Sequence, residues 1–167
     1  MIIAGLDLAT KTGVCIGKPG TRPTFFARDL GRGQDHCVRW GNALRLAHEL
    51  IKEHHVEAIG IEASVQAAHH KKSQNDLLGG VIACVRGWAN LKGIPTMTFA
   101  PSTIDKRFLG YAAKGSKERK TAIWRQCQVF GWAPQTQDEA DAGAVWEAMC
   151  VEVSPAYAAS SGTLFRG

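Results

Sequence analysis

The sequence predicts an α/β fold, a mixed five-stranded sheet with helices on both faces. Three observations lead there. The first thirty residues hold three strand-like runs and no helical period. From about Asp35 onward, helical patterns alternate with short apolar runs. Tight turns join the early strands, which pair antiparallel, while helical crossovers join the later ones.

Each element has its own signal. An apolar run from Ile2 to Leu8 carries one carboxylate, Asp7, and ends in the polar turn Thr10-Lys11-Thr12-Gly13. Val14-Cys15-Ile16-Gly17 follows, so the two runs read as a hairpin. Thr24 to Leu30, entered through Pro23, is the third strand, and Gly31, Gly33 and Gln34 form a loop. Cys37, Trp40, Leu44, Ala47 and Ile51 recur at three- and four-residue spacing, which predicts an amphipathic helix from Asp35 to His54. Val56 to Glu62 is a short buried strand with Glu62 at its carboxyl end. A polar connection follows, and Ser73 is a candidate cap for a helix whose core face is Leu77, Leu78, Val81, Val85, Trp88 and Leu91. Gly93 ends that helix, and Ile94 to Phe99 is the fifth strand. Pro101 and Ser102 open a helix running to Leu109, and Gly110 to Ser116 is a basic loop. A helix over Lys117–Phe130 turns Ala122, Ile123, Cys127 and Phe130 inward, and Gly131-Trp132-Ala133-Pro134 breaks the chain. The last helix spans Asp138 to Val151. No repeat or linker divides the chain. Residues 1–153 are therefore expected to form one domain, and 154–167, rich in small residues, a flexible tail.

With 167 residues the chain can bury a good core. No apolar stretch is long enough to span a membrane, and the start lacks the features of a signal peptide, so a soluble cytoplasmic protein is expected. The five cysteines are scattered singly among apolar neighbours and form no C-x-x-C. They read as buried reduced thiols, with zinc not indicated. The net charge of +5 is unevenly placed. Lys106, Arg107, Lys114, Lys117, Arg119, Lys120 and Arg125 crowd one stretch against Asp105 and Glu118, where a solvated helix face mixes signs. That distribution fits a polyanionic partner.

Four acids carry the chemistry. Asp7 sits amid Ile, Leu and Ala, where a carboxylate must be paired, hydrogen-bonded or metal-bound. Glu62 comes near it if the two strands are adjacent, as this strand order allows. Asp138 and Asp141, three apart, share one face of the last helix among small residues that permit close approach to the sheet. Singly, each has an ordinary explanation in turn hydrogen bonding or the helix dipole. Together they would repel strongly unless hard cations sat between them. Oxygen donors without Cys or His point to Mg²⁺ or Mn²⁺. Two such ions about 4 Å apart can activate a water and stabilise the leaving oxygen of a phosphodiester.

The Gly5-Leu6-Asp7 strand, the Ile59-Gly60-Ile61-Glu62 strand, the basic Lys114-Gly115-Ser116 region and Asp138-Glu139-Ala140-Asp141, in this order, resemble RuvC-type Holliday-junction resolvases. The resemblance runs from Met1 to about Val151. It implies a ribonuclease H-like nuclease fold and a Mg²⁺-dependent crossover-junction endodeoxyribonuclease of DNA recombination and repair. It implies a homodimer that cuts four-way DNA junctions symmetrically. Asp7, Glu62, Asp138 and Asp141 fall at the family's four metal-binding, catalytic positions. Lys106, and one of Lys117, Arg119 and Lys120, fall near its basic active-site residues. Lys71, Lys72, Arg107 and Lys114 complete the expected nucleic-acid-binding set. One departure stands out: the loop after the Glu62 strand offers His69, His70, Lys71 and Lys72, where family members often carry an aromatic.

Other residues carry weaker signals. His69-His70 suit a solvated or phosphate-contacting loop better than a metal, since Lys71 and Lys72 would repel a cation. Ser64 and His69 lack a third orienting group for nucleophilic catalysis. Trp124 is placed either to touch DNA or to pack in the core or a dimer. Thr10-Lys11-Thr12-Gly13 is similar to the phosphate loop of the actin and sugar-kinase superfamily, whose members need two such domains. A ribonuclease H-like nuclease acting on RNA or other branched DNA, and an inactive junction-binding protein, are the alternatives.

Overall fold

The computed structural model describes residues 1–63 and 72–164, the side chains at 72–75 and 161–164 excepted. Five strands, β1 (Ile3–Asp7), β2 (Lys11–Gly17), β3 (Thr24–Asp29), β4 (Ala58–Glu62) and β5 (Thr96–Phe99), form one sheet in the order β3-β2-β1-β4-β5. β1–β2 and β2–β3 are antiparallel hairpin pairs, while β1–β4 and β4–β5 are parallel. The mixed sheet follows from its connections, tight turns on one side and helical crossovers on the other.

One face is covered by α1 (His36–Lys52) and α2 (Lys72–Leu91), the other by α5 (Gln137–Val153) with α3 (Pro101–Phe108) and α4 (Ser116–Val129). Asp35 caps α1 by accepting from the Val38 amide at 2.9 Å. The buried stripe of α1 is Ala43, Leu46, Ala47 and Leu50, rotated from the one its spacing suggests. Cys37 is exposed and Leu44 is 38% exposed. The small Ala43 and Ala47 let α1 lie close to both the sheet and α2, and that packing selects the face. α2 behaves likewise: Val81, Val85 and Ala89 are buried, and Leu91 projects into solvent. Of the other cysteines, Cys15, Cys127 and Cys150 are buried and Cys84 is half-buried.

α5 is central. Every residue from Glu139 to Cys150 is buried, as expected of a helix enclosed on all sides. It runs directly across β1 and β2 because two glycines leave room. A Cβ on Gly5 would fall 2.3 Å from the Trp146 nitrogen, and one on Gly13 1.8 Å from the Asp138 carbonyl oxygen.

The sequence leads to a flexible tail over 154–167, and part of that stretch is helical. Pro155–Leu164 form α6. The Tyr157 hydroxyl of α6 hydrogen-bonds both oxygens of Glu147, at 2.8 and 2.7 Å. Glu147 is only 2% exposed, and a carboxylate buried on α5 needs a donor that α6 supplies. Among the described residues no helix is long and apolar enough to cross a membrane.

Candidate metal centre and nucleic-acid interface

The sheet register brings the first two acids together. β1 and β4 run parallel with Leu6 level with Ile61, so Asp7 and Glu62 end neighbouring strands at the same carboxyl edge. In open α/β sheets this edge is where ligands bind. On its other side Asp7 is level with Gly13 of β2, the glycine under the first turn of α5. The missing side chain lets that turn reach the sheet edge, which carries Asp138 and Asp141 to Asp7.

The start of α5 is fixed by local chemistry. The Thr136 hydroxyl accepts from the Glu139 amide at 3.3 Å, and the Glu139 carboxylate accepts from the Gln135 amide at 2.7 Å. Thr136-Gln137-Asp138-Glu139 has the spacing of a capping box, with the return bond made one residue early. Glu139 is thus occupied as a cap and turned from the other acids. Gln137 donates to Asp141 at 3.0 Å and reaches back to the Lys120 carbonyl at 3.4 Å, tying α5 to α4.

Arg119 is the cation that reaches the acids. Its guanidinium meets both Glu62 oxygens, at 3.2 and 3.3 Å, and its Nε donates to Asp105 at 2.6 Å. Asp105, on α3, is 3% exposed, and in the sequence it marks only the border of the basic stretch. Burial works against the Arg119 charge, but Glu62 and Asp105 outweigh it and raise its pKa. Along α4, Arg119 shares its inward face with Ile123 and Cys127, both fully buried.

The acids remain under-compensated. Burial, and then the charges of Glu62, Asp141 and Asp138, push the Asp7 carboxyl from an ordinary 3.8 up to about 8. Burial also raises Glu62, against the pull of Arg119, and raises Asp141, against Gln137, Arg119 and Lys120. Asp7 is therefore largely protonated at neutral pH in the protein by itself.

These donors fit a hard divalent cation on two grounds. The four groups offer carboxylate oxygen alone, and the charge that Asp7 cannot carry unaided is what a cation would compensate. Among the described residues, no three His, Cys, Asp or Glu side chains are already gathered to hold an ion. Glu62 is held by Arg119 and one Asp141 oxygen by Gln137, so a cation would share these carboxylates with the donors already on them.

The expected nucleic-acid-binding residues divide. Lys114, Lys117 and Lys120 are exposed on and before α4, and Lys106 is exposed on α3. Lys120 lies near enough to Asp141 to lower its pKa. Arg107 donates to the Ala148 carbonyl at 2.9 Å and to Glu152 at 2.6 Å, and it lies over the Phe99 ring. Those bonds tie α3 to α5. Arg119 likewise faces carboxylates. Lys72 opens α2, while Lys71 lies outside the described residues, with Ser64, His69 and His70.

No family model matches the chain, and no curated protein matches it in sequence. Solved structures do. The Thermus thermophilus RuvC structure aligns at 20% identity over 98% of both chains, with a TM-score of 0.70. T. thermophilus RuvC in complex with Holliday junction substrate aligns at 18% identity over 98% of this chain and 97% of that one, with a TM-score of 0.72. The yeast mitochondrial Holliday junction resolvase aligns at 10% identity over 98% of this chain and 81% of that one, with a TM-score of 0.67. At such identities the likeness is one of architecture, and the chain has the ribonuclease H-like fold of the RuvC-type resolvases.

Proposed function

We propose that this chain is a structure-selective endonuclease that cuts four-way DNA junctions by metal-assisted phosphodiester hydrolysis. The observation that carries the reading is the convergence of Asp7, Glu62, Asp138 and Asp141 on one sheet edge, where burial and then the charges of the other three push Asp7 up to about 8. It stands beside a basic helix, on a fold whose solved relatives include RuvC in complex with Holliday junction substrate.

In this reading Asp7, Glu62, Asp138 and Asp141 hold Mg²⁺, with Mn²⁺ able to replace it. When bound, the ion supplies an activated water and charge stabilisation at the leaving oxygen. Arg119 holds Glu62 in place and offsets part of the acid charge before the ion and the phosphate arrive. Lys120 and Lys106 bring positive charge to the phosphate at the cut, and Lys114 and Lys117 hold flanking phosphates. Asp105 keeps Arg119 aimed at Glu62 rather than at the DNA.

A junction with two-fold symmetry needs two matching cuts, and one chain supplies one site, so we propose a homodimer. On α2, Ile82 and Arg86 line an open face with Gly79, Ala83, Gly87 and Asn90 that suits a second copy. Ala89, three residues after Arg86, is fully buried in its own core.

The test uses labelled four-way junction, duplex, flap and RNA–DNA hybrid, each with Mg²⁺ and with EDTA. Symmetric junction cleavage in Mg²⁺ alone, lost in Asp7→Asn while binding persists, is the expected result. Cleavage confined to the hybrid or the flap would transfer the site to a different nuclease activity. Junction binding with no cleavage in either Mg²⁺ or Mn²⁺ would leave a binding protein.

A further inference from the structure

The loop between α3 and α4 presents one aromatic ring that the packing does not use. Tyr111 is 49% exposed. Among the described residues its ring meets no other aromatic and its hydroxyl makes no hydrogen bond. The loop holds it outward by its two ends. Gly110, just past α3, and Gly115, the residue that caps α4, have φ of 83° and 96°, a region open to glycine. A Cβ at either would meet nothing, so conformation rather than space calls for glycine there. Between Tyr111 and Lys114 stand only Ala112 and Ala113, too small to cover the ring.

The surroundings are polyanion-binding in character. Tyr111 and Leu109 help to line a hollow of about 900 Å³ with Lys114, Lys117 and Arg125, against the single carboxylate Glu118. A second hollow of about 670 Å³ runs from Lys120 and Gln137 over Trp124. Ser116, Lys117, Thr121 and Arg125 line both. Tyr111 stands at the end of the first hollow on one side of the Lys117, Thr121 and Arg125 row of α4, and the second hollow, with the Gln137 that holds Asp141, lies on the other side of that row.

From this arrangement we infer that Tyr111 is a stacking platform for an unpaired nucleobase, at the far end of a strand tracked by Lys114, Lys117 and Arg125. The inference rests on the nucleic-acid reading above and adds to it the class of ligand at this spot. A trough with three cations and one acid attracts phosphates of any nucleic acid. A free aromatic face within it favours a strand whose bases are unstacked, because duplex bases already cover each other's faces. The junction or frayed end of a branched substrate provides such bases close to the cut.

The experiment measures oligothymidylate and duplex affinity for the whole protein, Tyr111→Ala and Tyr111→Phe, across a salt series. Tyr111→Ala should bind oligothymidylate about 5- to 100-fold more weakly, with duplex affinity nearly unchanged, and Tyr111→Phe should retain wild-type affinity. The slope of log affinity against log salt should be the same in all three, because no phosphate contact is lost. Ultraviolet crosslinking to bromouracil-substituted oligothymidylate should map to the peptide containing Tyr111. Wild-type affinity in Tyr111→Ala, or a crosslink that maps elsewhere, overturns the platform and leaves the nucleic-acid reading standing. A wild-type protein that binds duplex but not oligothymidylate does the same. Failure of the wild type to bind either nucleic acid at low salt overturns both.

Discussion

Replacing Asp7 with Asn should make the metal-free protein more stable while removing its response to Mg²⁺. In the fold Asp7 binds its proton up to about pH 8, whereas an ordinary aspartate releases it near 3.8. Between those values the folded state holds more protons than the unfolded one, so stability falls as pH rises from about 4 to about 8. At 1.36 kcal/mol for each unit, the full gap sets a ceiling of about 6 kcal/mol at the top of that window. Asp7 lies at the rim of the sheet, where water relieves part of this, so about 1–3 kcal/mol is the expected gain in Asp7→Asn at pH 8, or roughly 3–10 °C in Tm. At pH 4 the two proteins should melt nearly alike, since Asp7 is then protonated in the folded state and partly protonated in the unfolded one. Mg²⁺ should raise the Tm of the wild type most at pH 8, where the acids' mutual repulsion is greatest, and should leave Asp7→Asn nearly unmoved. The assay is thermal unfolding in EDTA and in Mg²⁺ at several pH values, with nuclease activity left aside. If Asp7→Asn is less stable than wild type at pH 8 in EDTA, or gains equally from Mg²⁺, the carboxylates do not form a strained cluster.

Three further substitutions test how the site is held. Gly13→Val should cost on the order of 3 kcal/mol or more and weaken the Mg²⁺ response measured by the same melts, because its side chain would meet the Asp138 carbonyl and push α5 off the sheet. Asp105→Asn should lower stability by about 1–3 kcal/mol and reduce junction cleavage by raising KM for Mg²⁺ more than it lowers kcat, since Arg119 loses its buried anchor and its hold on Glu62 changes. Tyr157→Phe should cost about 1–3 kcal/mol by leaving Glu147 without its donor. Burial already raises the Glu147 pKa above 4.5, against the Tyr157 hydroxyl, so this deficit should be small below pH 4.5 and grow as pH rises through the folded pKa, as urea unfolding at graded pH would show.

The strands and the four acids are legible in the sequence because both are local signals. An apolar run ending in a lone carboxylate is visible in ten residues, and the hairpin and crossover order then fixes which strand ends meet. The face of a helix is harder to read. On α1 two apolar stripes overlap, and only the approach of α2 and the sheet selects Ala43, Leu46, Ala47 and Leu50 over Cys37 and Leu44. α6 escapes a sequence reading for a similar reason. Its small residues carry no amphipathic pattern, and Tyr157 ties it to a glutamate on a different helix. The capping spacing from Thr136 to Glu139, by contrast, is plain in the sequence, and it suffices to set Glu139 apart from the candidate ligands on either side of it.

Charge is legible as an amount and not as a direction. Seven cations against two acids between Asp105 and Arg125 signal a polyanion partner, yet the members do three different things. Arg107 ties α3 to α5, Arg119 turns inward to Glu62 and Asp105, and the lysines remain free toward solvent. Of the three arginines, Arg107 and Arg119 are paired with carboxylates, as their planar, multi-donor heads favour. The lysines keep a mobile point charge, which suits phosphates that arrive and leave. Arg107 also braces α5 near its carboxyl end, and the Lys120 carbonyl holds Gln137 at its first turn. α5 carries two of the four acids and crosses the sheet with no side chain at Gly5 or Gly13 to set its distance. Its position must then come from what grips it elsewhere, and part of the basic stretch is that grip. A reading that assigned every cation there to DNA would miss what holds α5, and the acids on it, in place.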